Sequence, residues 1–206
     1  MTLQQSTQSP APTDQPVVFY HGTNIYFRPV EPADEPLIHR WDNDPRIWAT
    51  LNHRKPAPSL VFQKKIEQRA HDPNTYWFGI TRASDHQLVG TCALKLDKDP
   101  AHQAEFGLII GDTNAHNKGI GYEATTLSLR FAFQELNLHR VELATFPFNP
   151  RAIHIYEKAG YRLEARRKQA FYRNGTYHDT LDYAILRQEW DAIQQRQTTN
   201  PSEHAA

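Results

Sequence analysis

At 206 residues the chain is long enough for one domain of ordinary size and too short for two to be the default. Lys plus Arg and Asp plus Glu are equal at 23 each, so the formal net charge is zero and there is no bulk electrostatic case for nucleic acid or an anionic membrane as partner. One cysteine, Cys92, rules out an internal disulfide framework, and without a signal-like apolar stretch at the start or a run of membrane-spanning length a cytoplasmic protein is expected.

Residues 1–16 and 194–206 are rich in Gln, Ser, Thr and Pro, and are expected to form unstructured tails around a single domain spanning residues 17–193. Val17 to Tyr20 and Ile25 to Val30 flank His21-Gly22-Thr23-Asn24 and read as a strand pair. Pro32 to Trp41 follows as a helix with Leu37, Ile38 and Trp41 on one face and Asp34 in an acidic first turn. A short helical segment over Arg46 to Leu51, a Pro-bearing loop from His53 to Pro58, and a helix from Ser59 to about Ala70 come next, with Ser59 as the expected N-cap. Tyr76 to Thr81, Gln87 to Leu96 and Ala104 to Ile110 read as three strands whose connecting turns are short enough for antiparallel neighbours.

Gly121 to Leu136 has helical spacing in Ala124, Leu127, Phe131 and Leu136, and Val141 to Phe146 is strand-like. The next helix, Arg151 to Ala159, carries Ala152, Ile155, Tyr156 and Ala159 on one stripe. Asn149-Pro150 opens it, and Gly160 stands where a left-handed C-cap belongs. Tyr161 to Tyr172 and Tyr177 to Leu186 then form a hairpin turning at Asn174-Gly175. An antiparallel meander followed by strand, helix and strand predicts an α/β fold with a mixed central sheet.

The chemistry concentrates between Glu105 and Tyr161. His116-Asn117-Lys118-Gly119-Ile120-Gly121 joins a strand to a helix, and the free N–H groups of that first helical turn make an anion site. Two glycines alone are as often a turn; the order strand, loop, helix is what gives them meaning. A dinucleotide-binding reading fails, because the third glycine and the acidic residue ending a following strand are both missing. Glu123, just inside the helix, reads as a favourable charge at a helix terminus. The eleven histidines show no ligand spacing beside Cys or carboxylate partners, so no metal is expected. His154 falls off the apolar stripe and should be exposed, and Cys92 reads as a small buried apolar residue.

The segments AEFGLII, HNKGIGYEA and NPRAIHIYEKAGY together resemble the core of the GNAT superfamily of acyl-CoA-dependent N-acetyltransferases, over roughly Tyr26 to Trp190. RPVEPADEPLIHRWDND and FYRNGTYHDTLDYAIL resemble most the branch of ribosomal-protein alanine N-acetyltransferases and bacterial spermidine N-acetyltransferases. The resemblance implies a mostly antiparallel sheet of about seven strands flanked by helices, splayed between strands four and five. It implies acetyl-CoA as cosubstrate, its pyrophosphate over His116, Asn117, Lys118, Gly119, Ile120 and Gly121, with His116 standing where Gln or Arg is usual. The pantetheine chain would lie against Leu108, Ile109 and Ile110, whose amides would also polarise the thioester carbonyl.

By the same resemblance Asn149 contacts the cosubstrate, although an Asx cap on the helix beginning at Pro150 explains it equally, and both roles are compatible. Tyr156 corresponds to the tyrosine that protonates the departing thiolate; by spacing alone it is a core aromatic. Glu105 has two readings of equal standing, a general base working through water or an edge-strand carboxylate facing solvent. The acceptor cleft would be lined by Trp41 to Pro58 and the final hairpin, where Asp42 and Asp44 suit a cationic amine but Arg46, Arg54 and Lys55 oppose a polyamine. These mixed charges favour a peptide N-terminus, an amino acid or an amino sugar over spermidine, with a non-catalytic acyl-CoA-binding module as a further alternative and homodimerisation left open.

Overall fold

The computed structural model describes residues 16–52, 55–97 and 102–199. Both outer parts of the expected tails, residues 1–15 and 200–206, lie outside the described residues, as do His53 and Arg54 of the Pro-bearing loop and residues 98–101 of a predicted turn. The chain runs β1 (Tyr20–His21), β2 (Ile25–Pro29), α1 (Glu35–Asp42), α2 (Pro45–Trp48), α3 (Ser59–His71), β3 (Thr75–Arg82), β4 (Leu88–Leu96) and β5 (Gln103–Ile110). It continues through α4 (Ile120–Arg130), β6 (Arg140–Thr145), α5 (Pro150–Lys158), β7 (Arg162–Arg173), β8 (Thr176–Leu186) and α6 (Arg187–Thr199). Among the described residues no helix is long and apolar enough to cross a membrane.

The strands form one eight-stranded sheet in the order β1-β2-β3-β4-β5-β6-β8-β7, against the seven or so that the resemblance implied, and the first strand, expected over Val17 to Tyr20, is only the two-residue β1. Every neighbouring pair is antiparallel except β5 and β6. That parallel pairing is brief: Gln103 faces Arg140, Ala104 faces Val141, Glu105 faces Glu142, and the strands then part. β4 still holds β5 as far as Ile110, and β8 holds β6 as far as Thr145, so each splayed strand is anchored by its outer neighbour. Counted from β2, the parting strands are the fourth and fifth, where the splay was expected.

Period-two alternation sends Ala104 and Phe106 into the main core, with Phe27, Ile80, Leu94, Phe133, Val141 and Ile185, beneath α4, α5 and α6. On the opposite face α1 and α3 bury a smaller cluster of Ile38, Trp41, Phe62 and Leu88. Glu105, Gly107 and Ile109 alternate onto that second face. The sheet is therefore covered on both sides, with the fork between β5 and β6 running through it.

Several local readings are corrected. The first predicted helix starts as a 3₁₀ turn, Pro32–Asp34, and Asp34 does more than complement a dipole: its carboxylate accepts from the Glu31 amide at 2.8 Å and from both Arg28 guanidinium nitrogens at 2.7 Å. Ser59 is the first helical residue and Pro58, in extended geometry, takes the N-cap position, so no side chain caps α3. The helix predicted to reach Leu136 leaves α geometry after Arg130 and continues as a π-helical turn, Phe131–Glu135, which buries Phe131, Ala132 and Phe133 in succession. α6 extends to Thr199, six residues past the expected end of the domain, with Trp190 against Phe133 at 5.5 Å between ring centroids. Asn174 (φ 51°) and Gly175 (φ 77°) form the two-residue turn read from the sequence, closing on the pair Arg173 and Thr176.

Glu123 departs furthest from its sequence reading. Its Oε1 accepts from the backbone amides of Thr23 at 2.6 Å, Asn24 at 2.7 Å and Ile25 at 3.3 Å, while Oε2 accepts from Asn24 Nδ2 at 3.0 Å. A Cβ at Gly22 would come 2.5 Å from the same Oε1, so this turn admits the carboxylate only with glycine there. One side chain thus ties the β1–β2 turn to the first turns of α4. Charge-assisted bonds of this kind contribute about 1.5–3 kcal/mol before solvent exposure discounts them. Glu123→Ala should lower the free energy of unfolding in urea by about 1–3 kcal/mol, and Glu123→Gln, which keeps one acceptor oxygen, by less. Identical denaturation midpoints for wild type and Glu123→Ala would show that the clasp contributes nothing.

Candidate active site

A cleft of about 880 Å³ opens where β5 and β6 part. Of the residues selected from the sequence, Glu105, Leu108, Ile109, Ile110, His116, Asn117, Gly119, Ile120, Gly121, Asn149 and Tyr156 all line it. Lys118 does not; it is exposed on the outer side of the loop. From Phe106 to Ile110 the edge of β5 that faces β6 has no strand partner, so the backbone groups of alternate residues, the Ile110 carbonyl aside, stand open to whatever enters.

The loop reaches its shape through two left-handed residues, Asn117 (φ 59°) and Gly119 (φ 77°), Gly119 being the N-cap of α4. A Cβ on Gly119 would meet no atom within 4 Å, so this glycine answers a backbone demand. Gly121 answers a packing demand instead: a Cβ there would lie 3.0 Å from Ile155 Cδ1 of α5. The amides of Ile120, Gly121 and Tyr122, in the first turn of α4, lack i−4 carbonyl partners and form an anion-binding end. His116 turns back to the strand, with Nε2 2.9 Å from the Ile110 carbonyl. A carbonyl only accepts, so Nε2 carries the proton and Nδ1 alone is left to meet a ligand.

α5 is short, and both of its ends are specified. Asn149 caps it, Oδ1 accepting from the Ala152 amide at 3.3 Å, which leaves Nδ2 as a donor at the cleft. At the other end Gly160 (φ 101°) completes a Schellman motif: its amide donates to the Glu157 carbonyl at 3.0 Å, and the Tyr161 amide donates to the Tyr156 carbonyl at 3.0 Å. The apolar contact that accompanies this motif is Tyr156 against Tyr161, ring centroids 5.8 Å apart. Tyr156 also meets Phe106 of β5 edge-to-face at 6.4 Å. Burial pushes the Tyr156 phenol up to about 12, so it holds its proton throughout the neutral range. His154, two residues before it and so turned to the other side of the helix, is exposed as expected.

Glu105 is exposed and sits at the last paired position of the fork, opposite Glu142 of β6 and beside Lys95 of β4. Cys92 also borders the cleft, but burial pushes its thiol up to about 12, leaving no thiolate at neutral pH. Among the described residues no group of His, Cys, Asp and Glu side chains is gathered to hold a metal ion.

The half of the cleft on the α1–α3 side differs from its sequence reading. Asp42 lines it, but Asp44 is occupied as the N-cap of α2, accepting from the Arg46 amide at 2.9 Å and from the Arg46 side chain at 2.6 Å. Lys55 does not reach the cleft, and Arg54 lies outside the described residues. The final hairpin closes this half: a bulge between Arg167 and Phe171 turns Phe171 inward, and Arg173 donates to the Trp48 carbonyl at 2.9 Å while stacking on the Trp48 ring at 4.4 Å. Lys65 and Arg69 of α3, not singled out from the sequence, line it as well. Their spacing of four was the available signal, since they flank the buried stripe of Phe62 and Ile66.

A family model for the acetyltransferase (GNAT) domain matches residues 24–162. Probable N-acetyltransferase YjcK of Bacillus subtilis (strain 168) is 35% identical over 174 residues, covering 80% of this chain and 95% of that protein. Spermidine N(1)-acetyltransferase of Escherichia coli (strain K12) is 25% identical over 167 residues, covering 81% of this chain and 88% of that one. Among solved structures, spermidine N-acetyltransferase from Vibrio cholerae in complex with CoA and spermine matches with a TM-score of 0.74 and 27% identity, over 81% of this chain and 98% of that one.

The two readings of Asn149 separate by substitution. Asn149→Ala removes the cap and should lower stability by about 1 kcal/mol, whereas Asn149→Asp keeps the acceptor oxygen and should hold the unfolding midpoint while weakening CoA binding through loss of the amide donor. Unchanged calorimetric CoA affinity in Asn149→Asp would leave Asn149 as a cap alone.

Proposed function

Since the chain belongs to the GNAT family of acetyltransferases, whose members use acetyl-CoA as cosubstrate, we propose that it transfers the acetyl group by direct attack of a primary amine, with a peptide N-terminus, an amino acid or an amino sugar as acceptor. The observation that carries the reading is the open β5 edge ending beside the free amides of α4. An extended pantetheine chain adds to such an edge as a strand would, while the α4 terminus takes the pyrophosphate. Leu108 and Ile110, whose amides point away from β4, supply backbone donors for the oxygen of the thioester carbonyl, whose negative charge grows as the amine nitrogen bonds to carbon. Asn149 Nδ2 is the side-chain donor available beside them.

The amine must be neutral to attack. At pH 7 neutrality costs about 4.6 kcal/mol for a Lys-type amine of pKa ~10.4 and about 1.4 kcal/mol for an α-amine near ~8. Glu105, at the mouth of the fork, takes the amine proton through a bridging water in this reading. Tyr156 donates to the sulfur as the carbon–sulfur bond breaks. With its phenol near 12 against a thiol near ~8.5, full transfer is uphill by roughly 5 kcal/mol, so the contribution of Tyr156 is a hydrogen bond that strengthens as thiolate charge develops. A ping-pong route through Cys92 is disfavoured by its protonated thiol. Polyamine acetylation is the second reading, favoured by the spermidine N-acetyltransferases among the relatives and opposed by the cations lining the acceptor half. Thiol release from acetyl-CoA against a panel of peptides, amino acids, amino sugars and polyamines decides between them. Turnover confined to polyamines would overturn the acceptor assignment, and no release with any amine would overturn amine acetylation.

Gly119→Val forces a β-branched residue into left-handed geometry and places methyl groups where phosphate would approach the amides. Calorimetric affinity for CoA should fall at least tenfold in the folded variant, and an unchanged constant would remove the loop from the site.

The two proton-handling residues should leave different marks on kcat/KM. Glu105→Gln removes the limb that rises as the base ionises, whereas Tyr156→Phe lowers the whole profile by about 10- to 10³-fold without altering its shape below pH 10, because the phenol is protonated throughout. Coincident profiles for wild type and Glu105→Gln would assign the base elsewhere, and wild-type turnover in Tyr156→Phe with chemistry rate-limiting would return Tyr156 to the core.

A further inference from the structure

α3 places two cations one turn apart above the floor of the acceptor half. The Arg69 guanidinium lies 4.4 Å from the Trp77 ring, and Lys65 Nζ lies 5.9 Å from the same ring and 5.1 Å from that of Phe62. Among the described residues neither side chain makes an ion pair or a hydrogen bond. Stacking over the aromatic rings restrains both heads, so their positions are set before any ligand arrives. Burial lowers the pKa of each from its ordinary value, and for Lys65 the charge of Arg69 lowers it further. Two partly desolvated like charges four residues apart on a helix oppose each other. The protein keeps this arrangement at the wall of its cleft.

The carboxylates nearby offset it only in part. Asp72 is taken up by the turn after α3, accepting from the Asn74 amide at 3.0 Å and from the Thr75 hydroxyl at 2.7 Å. Asp44 is held by Arg46. Asp42 lines the cleft and its charge reaches both Lys65 and Arg69, and the charge of Asp72, which lies outside the cleft, reaches Arg69 as well; on this wall of the cleft two cations stand against one carboxylate. A polyamine would meet this surplus as repulsion. An oxyanion would relieve it, most effectively on a planar guanidinium that presents paired donors.

We propose that Lys65 and Arg69 bind an anionic group of the acceptor, a carboxylate or a phosphate, so that the protein acetylates amines that carry such a group and discriminates against polyamines. The proposal rests on the acetyl-transfer reading above and names its substrate class. Its geometry also sets a spacing. Trp77, Ala93 and Gly107 are in register across β3, β4 and β5, so the residue beneath the cations is two strands from the open β5 edge, about 10 Å at the backbone. The anion therefore lies several bonds from the reacting nitrogen, as in an acidic residue following a peptide N-terminus or a phosphate on an amino sugar.

The test uses the full-length protein with acetyl-CoA and acceptor pairs differing only in the anion. The carboxylate arm is Ala-Asp amide against Ala-Asn amide, the phosphate arm is glucosamine 6-phosphate against glucosamine, and spermidine is the cationic control. In at least one arm the anionic member should show kcat/KM at least tenfold higher than its neutral partner, and the arm that responds identifies the anion. Lys65→Met and Arg69→Met, which keep apolar stems over Trp77, should each abolish that preference while calorimetric CoA affinity is unchanged. Equal rates within both pairs, a preference that survives both substitutions, or spermidine as the best acceptor would overturn the proposal while leaving amine acetylation standing. If no acceptor releases thiol, amine acetylation fails, and calorimetry of N-acetyl-Ala-Asp amide against N-acetyl-Ala-Asn amide on the CoA-bound protein then judges the subsite. Tighter binding of the acidic peptide, lost in both variants, supports it; equal binding overturns it.

Discussion

The parallel pairing of β5 with β6 lasts for three residues, and the site depends on its ending there. A strand edge inside a sheet normally spends its donors and acceptors on a neighbour. Here β5 is held on one side by β4 as far as Ile110, while β6 turns away with β8, and the facing edge beyond Glu105 is left open between two layers of helices. Unpaired backbone is costly when dry, so such a fork persists only where solvent or a ligand satisfies it. An extended chain with two amides, as in pantetheine, can meet that requirement, and the proposed cosubstrate chemistry therefore falls in the same gap as the cleft.

α5 bounds the fork with little material. Its nine residues carry a cap at one end and a Schellman motif at the other, and both devices involve residues proposed to act on substrate. Asn149 satisfies the Ala152 amide while presenting a second donor, and Tyr156 supplies the carbonyl that receives the Tyr161 amide while its ring packs on Phe106. Stability and the proposed chemistry therefore share residues in this helix, and the Tyr156 ring is held between Phe106 and Tyr161. The same economy holds at α4, where Gly119 shapes the loop and Glu123, one turn later, fastens the β1–β2 turn to the helix.

Features written in adjacent residues were legible in the sequence. Asn149-Pro150, Gly160, the Asn174-Gly175 turn and the glycine loop each act through a local backbone demand, and each stands where the pattern put it. Features that need two distant segments were not. Glu123 contacts residues nearly a hundred positions away, and nothing in its own neighbourhood distinguishes it from a carboxylate complementing a helix dipole. Asp44 looked available to a cationic acceptor because its bond to Arg46 depends on the geometry of α2. Lys65 and Arg69 carry no sequence signal of a site, because their place at the cleft depends on the fold setting Trp77 beneath them. The polar composition of the last twenty residues concealed α6, whose anchors are Trp190 against Phe133 and Ile193 beside Gly160.

Amide hydrogen exchange with and without acetyl-CoA tests the central claim, that one ligand spans the open β5 edge and the α4 terminus. Protection should rise together at the amides of Phe106, Leu108 and Ile110, which point away from β4, and at Ile120, Gly121 and Tyr122, while the β3–β4 ladder, already paired on both sides, exchanges as before. Saturating acetyl-CoA without added protection on β5 would place the cosubstrate elsewhere and contradict this account of the fork.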